Sequence, residues 1–136
     1  MKIISPAFKD GEILPEKYTP FGENISPPFK FRKIPKNAVK LNLTCEDKYN
    51  IIDNKLVVHW SVWFENEFTE IPNNFAYRKR YHNVKQKPNS WNNKNYEGPN
   101  PTEGSGIHHY NFILVAFNKE EKIIEKTKID CIFERK

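Results

Sequence analysis

His59, His108 and Tyr110 are the residues of this chain whose types and placement best suit chemistry. Imidazole exchanges a proton near neutral pH and phenol carries a hydroxyl donor, so their convergence would make a site for an anion or for proton transfer. His108 and Tyr110 open an apolar stretch that runs to Phe117. Alternate side chains on a strand share a face, so these two rings should point the same way. His59 lies inside Leu56-Val57-Val58-His59-Trp60-Ser61-Val62-Trp63-Phe64, an almost continuous apolar run expected of a central strand covered on both faces. If these strands are neighbours, Asp47 joins them, from a long turn expected to begin at Cys45-Glu46-Asp47. Taken singly, a buried histidine is usually a satisfied core residue and a strand tyrosine an ordinary aromatic. Only their convergence makes a site.

The elements that must position these residues are mostly strands. Val39-Lys40-Leu41-Asn42-Leu43-Thr44-Cys45 alternates apolar and polar at every step, and Ile129, Cys131 and Phe133 alternate within Thr127 to Phe133. Ile3-Ile4 and Phe29-Lys30-Phe31 are shorter candidates. No segment offers an amphipathic helix beyond about two turns, although Lys119 to Lys126 could form a short one. The expected fold is therefore mostly β: an antiparallel Greek-key β-sandwich with long loops and little helix. A polar stretch from Pro72 to Gly106, rich in Asn, Pro and Gly, is long enough to suggest a functional loop. Its last part runs directly into His108, and its glycines permit the close backbone approach that cradling an anion requires.

The length of 136 residues suits one domain, 1–136, and aromatics at 14% supply core area that aliphatics alone would not. The N-terminus lacks an apolar stretch of signal-peptide length and no run approaches membrane-spanning length, so a cytoplasmic address is expected. Cys45 and Cys131 are far apart in apolar-alternating segments and are expected to be free thiols rather than a disulfide or zinc ligands. The net charge of +5 eases attraction of anions without identifying one.

Several motifs, in order, carry a resemblance. The stretch Tyr96-Glu97-Gly98-Pro99-Asn100-Pro101-Thr102-Glu103-Gly104-Ser105-Gly106-Ile107-His108-His109-Tyr110 resembles the signature of the phosphatidylethanolamine-binding, or Raf kinase inhibitor-like, family. Asp10-Gly11, Ile13-Leu14-Pro15 and Lys17-Tyr18-Thr19 resemble its N-terminal motif, Asn24-Ile25-Ser26-Pro27-Pro28 its N-x-S-P-P, and Val58-His59-Trp60 its H-W strand. The resemblance implies an anion pocket at one end of the sandwich. The ligand-binding set it implies is Asp47, His59, Gly98, Asn100, Pro101, His108 and Tyr110, with no catalytic residue, metal or cofactor. Donors from His59, His108, Tyr110 and a backbone N–H near Gly98 would meet a phosphate-sized anion. Asp47 is expected to accept from an imidazole and favour its protonated form.

The chain departs from the family pattern at Asp47-Lys48-Tyr49-Asn50, where Tyr49 replaces a second Asp, at Leu56-Val57, where an aromatic is usual, at His109, where Arg is common, and at Asn118 to Lys126, where a helix is usual. The expected function is a binding or regulatory module for a phosphorylated small molecule, phospholipid headgroup or phosphorylated residue, with inhibition of a kinase or protease implied by the family alone. The alternatives are a degenerate pocket serving as an interaction scaffold, a metal-dependent hydrolase, and a nucleic-acid binder using Tyr77-Arg78-Lys79-Arg80-Tyr81-His82 with Lys85 and Lys87. A solvated basic loop is the plainer reading of that last stretch, so nucleic acid is not the expected partner.

Overall fold

Two antiparallel sheets enclose one apolar layer in the computed structural model, which describes residues 1–52, 55–81 and 84–136. The smaller sheet has the order β1-β2-β5, from β1 (Lys2–Ile4), β2 (Phe29–Arg32) and β5 (Glu70–Ile71). The larger has the order β6-β4-β3-β7-β8, from β3 (Lys40–Ile52), β4 (Lys55–Glu65), β6 (Lys85–Lys87), β7 (Ile107–Phe117) and β8 (Ile123–Glu134). Phe29 meets Phe112 at 4.9 Å between ring centroids and Phe31 stacks on Phe64 at 5.5 Å, so aromatic pairs join the sheets. Each such buried ring contributes about 1.5–3 kcal/mol relative to exposure.

The strands expected from alternation are all present, and the mostly β sandwich is the observed architecture. Two expectations are corrected. Asp47 does not begin a turn, because β3 continues to Ile52 and pairs Asp47 with both Val57 and Tyr110. Lys119 to Lys126 is not a helix either: Asn118 accepts through its side chain from the N–H groups of Glu120 and Lys122, Glu121 takes a left-handed φ of 63°, and β8 starts at Ile123. A capped tight turn leaves no room for a helix between paired strands.

Register shows why the site lies at one end of the core. On the inner face Leu43 opposes Leu114, Cys45 opposes Phe112, and Asp47 opposes Tyr110. The apolar rows thus give way to polar groups at the same level on adjacent strands. Among the described residues no helix is long and apolar enough to cross a membrane. Cys45 and Cys131 are buried and unpaired, and burial pushes the Cys131 thiol up to about 12.

Candidate functional site

A β-bulge aims His59 into the site. Cys45 pairs with Trp60 but the next residue, Glu46, pairs with Val58, so His59 is the extra residue of β4. A bulge breaks the alternation of faces, which lets His59 and Trp60 both be buried although they are sequence neighbours. Glu97 then holds His59 at two points: its N–H donates to the His59 carbonyl at 3.1 Å, and its own carbonyl lies 2.7 Å from His59 Nδ1. A carbonyl only accepts, so Nδ1 carries the proton and Nε2 presents a lone pair in the neutral ring. That Nε2 is buried with no hydrogen-bond partner among the described residues, in a residue 5% exposed.

Around it is a cavity of about 560 Å³ lined by all seven residues of the expected set, Asp47, His59, Gly98, Asn100, Pro101, His108 and Tyr110. Burial lowers the pKa of His59, opposed by its bond to the Glu97 carbonyl and by the charge of Asp47. At His59 the group bonded to Nδ1 is the Glu97 carbonyl, and burial outweighs the opposing charge of Asp47, so the surroundings of this ring favour neutral imidazole rather than the expected imidazolium. Tyr110 packs edge-on against His59 at 5.5 Å, and burial followed by the charge of Asp47 pushes its phenol well up, so its hydroxyl keeps its proton. His108 Nε2 lies 2.9 Å from Ser105 Oγ, while that hydroxyl is 2.6 Å from the Thr102 carbonyl. Ser105 therefore donates to Thr102 and accepts from His108.

Gly98 lines the cavity with its own backbone already engaged. Its N–H donates to Asn24 Oδ1 at 2.9 Å and so is not free for an anion. A Cβ at Gly98 would stand 2.2 Å from the Tyr18 carbonyl oxygen, which is why only glycine fits there. Tyr96 donates to the same Tyr18 carbonyl at 2.7 Å. The N-terminal motifs are thus the bed on which the 96–98 loop lies. Gly11 and Leu14 likewise donate backbone N–H groups to Asp130 and Ile132 of β8.

Sequence reasoning missed Trp91, which also lines the cavity, with its ring 5.2 Å from that of His59 and its side chain 49% exposed. Asn89 builds the loop that carries it, accepting from the N–H groups of Trp91 and Asn93 and donating to the Asn95 carbonyl. A lone tryptophan within Asn89-Ser90-Trp91-Asn92-Asn93 was the available signal. With Val57, it forms the wall where an aromatic before the H-W strand was expected. His109 is exposed beside the pocket strand's inward residues and does not line the cavity. The Tyr49 side chain and His82 lie outside the described residues.

A two-sheet antiparallel sandwich with a histidine, tyrosine and acid pocket at one end of its core defines the class. The chain belongs to the phosphatidylethanolamine-binding protein family, whose sequence profile matches residues 4–132. It is 31% identical over 119 residues to the UPF0098 protein PH1269 of Pyrococcus horikoshii, covering 85% of this chain and 59% of that protein. A UPF0098 protein of Chlamydia pneumoniae is 37% identical over 121 residues, covering 87% and 77%. The chain therefore spans less than two thirds of the length of some relatives it matches, 59% and 62% for two from Pyrococcus. The crystal structure of E. coli YbcL, described as a member of the mammalian PEBP family, superposes with a TM-score of 0.86 at 21% identity, covering 99% of this chain and 98% of that one. At that identity the likeness concerns the fold.

Proposed function

We propose that the cavity binds a small phosphoryl-bearing ligand, a free phosphomonoester or a phospholipid headgroup, and that the protein is a binding module rather than an enzyme. The observation that carries this reading is the buried, unpartnered Nε2 of His59 beside the protonated Tyr110 hydroxyl and His108. A buried polar atom left unsatisfied costs about 1–3 kcal/mol, which a ligand that completes the hydrogen bond recovers. A phosphoryl group with an ionisable O–H can donate to Nε2, and a dianion can instead draw a proton onto it.

The non-catalytic part is supported by the local chemistry. Ser105, whose hydroxyl lies 2.9 Å from His108 Nε2, directs its proton to the Thr102 carbonyl, so His108 does not act on it as a base. Both thiols are buried with raised pKa and so are poor nucleophiles. A kinase or protease partner and a cytoplasmic address are carried over from the resemblance and the sequence as parts of the same proposal.

The test is titration of purified protein with O-phosphoethanolamine, followed by the ring resonances of His59 and Tyr110. Saturable shifts at both rings, with affinity reduced about tenfold by Tyr110→Phe through loss of one hydrogen bond to a charged group, are expected. Shifts absent at millimolar ligand would overturn the reading.

A further inference from the structure

A second concavity lies on the opposite, outer face of the large sheet, at its other end. The register fixes what projects there. Asn42 opposes Trp63 and Lys40 opposes both Glu65 and Phe117, so Lys40, Trp63, Glu65 and Phe117 share the face turned away from the core. β6 adds two more residues to it: Lys85 opposes Trp63 and Lys87 opposes Ser61, while Gln86 between them turns inward to accept from the Trp60 indole at 2.8 Å. The result is a trough of about 530 Å³. Its floor is the contact of Trp63 with Phe117, 5.1 Å between ring centroids, both rings half-buried with no second layer of strands over them among the described residues.

The rim is unequal in charge. Lys40, Lys85, Lys87 and Lys119 stand around the trough against two acids, Glu65 and Glu121. All four lysines are exposed, and none forms a salt bridge among the described residues. An aromatic floor inside a cationic rim takes an apolar side chain flanked by negative charge. The two rim carboxylates decide between macromolecules: they repel a continuous phosphate backbone, whereas a peptide can place its own N–H groups or a cation against them. The basic stretch noted in the sequence also divides here. Arg78 is spent on Asn73, donating to its carbonyl at 2.9 Å and its side chain at 2.6 Å, whereas Lys85 and Lys87 are turned to the trough.

We infer that this trough is a docking site for an acidic peptide segment of a partner protein carrying an aromatic or large aliphatic side chain between its carboxylates. The side chain packs on Trp63 and Phe117 and the carboxylates meet the lysines of β6 and Lys40. The site is separate from the His59 cavity, so phosphoryl ligands do not compete for it.

The probe is the amidated hexapeptide EDFDLE, titrated while the Trp63 indole N–H resonance is followed, with the lysine-substituted peptide KKFKLK and a six-residue oligothymidylate as comparisons. The acidic peptide should shift the Trp63 indole saturably, weaken as salt rises toward 0.5 M (a Debye length of roughly 4 Å), and remain unaffected by O-phosphoethanolamine. The Lys85→Glu/Lys87→Glu variant, altered only at exposed side chains, should bind it about tenfold or more weakly while keeping the thermal midpoint of the unaltered chain. The inference is overturned if Trp63 does not respond to the acidic peptide, if the double variant binds it equally, if the oligothymidylate binds more tightly, or if Trp63 responds only to self-association.

Discussion

The behaviour of His59 follows from what surrounds its two ring nitrogens. Nδ1–H is committed to the Glu97 carbonyl, and burial disfavours a charge on the ring. Protonation is therefore easier in the unfolded chain, where imidazole titrates near pH 6.5. With the folded pKa the lower of the two, this histidine costs no stability above about pH 6.5, and stability falls as pH drops below that value. Urea midpoints should accordingly fall between pH 7 and 5 by more in the unaltered chain than in His59→Gln. Equal falls in both would contradict this account. The site histidines and Tyr110 were legible in the sequence because strand periodicity and the loop motif single them out. The protonation state was not, since it depends on Glu97, which lies 38 positions away and acts through its backbone carbonyl. No side-chain pattern records such a contact.

At the scale of elements, the bulge at His59 and the loops around it do what regular strands would not. An alternating pattern places His59 and Trp60 on opposite faces, and only the register against Cys45 and Glu46 shows both turned inward. The 96–98 loop depends on Gly98: Gly98→Ala drives a methyl into the Tyr18 carbonyl, and overpacking of this kind costs about 1–3 kcal/mol. Its denaturation midpoint should drop accordingly and ligand shifts at His59 should weaken with it, because Glu97 moves with the loop. Unchanged stability in the Gly98→Ala variant would show that the loop is held elsewhere. The Trp91 loop carries a separate prediction. Trp91→Ala removes a ring 5.2 Å from His59, so water reaches the imidazole and its pKa should rise toward the ordinary value, read by NMR titration of the ring. An unmoved pKa would mean that Tyr110 and the sheet alone supply the desolvation. Alternation made the main strands readable from sequence, whereas the Asn118 turn that replaces the expected helix rests on one side chain accepting two backbone bonds.

For the molecule as a whole, the sandwich has polar chemistry at two places its core does not consume: the inner end of the large sheet, where the apolar rows reach Asp47, Tyr110 and His59, and the lysine-rimmed outer trough. The net charge of +5 favours approach of anions to either. What separates the two is the buried Nε2, which in the proposed role requires a ligand there to bring a proton or recruit one. Proton-linked calorimetry tests this most directly: O-phosphoethanolamine is titrated into the protein at pH 7.5 in buffers of different ionisation enthalpy, and the protons exchanged per ligand bound are read from the dependence. Net uptake approaching one proton per ligand, abolished in His59→Gln, and affinity that declines as pH rises from about 6 to 8.5, across the range where imidazole ordinarily titrates, are the predicted results. Binding with no proton uptake, unaltered in His59→Gln, would contradict the account.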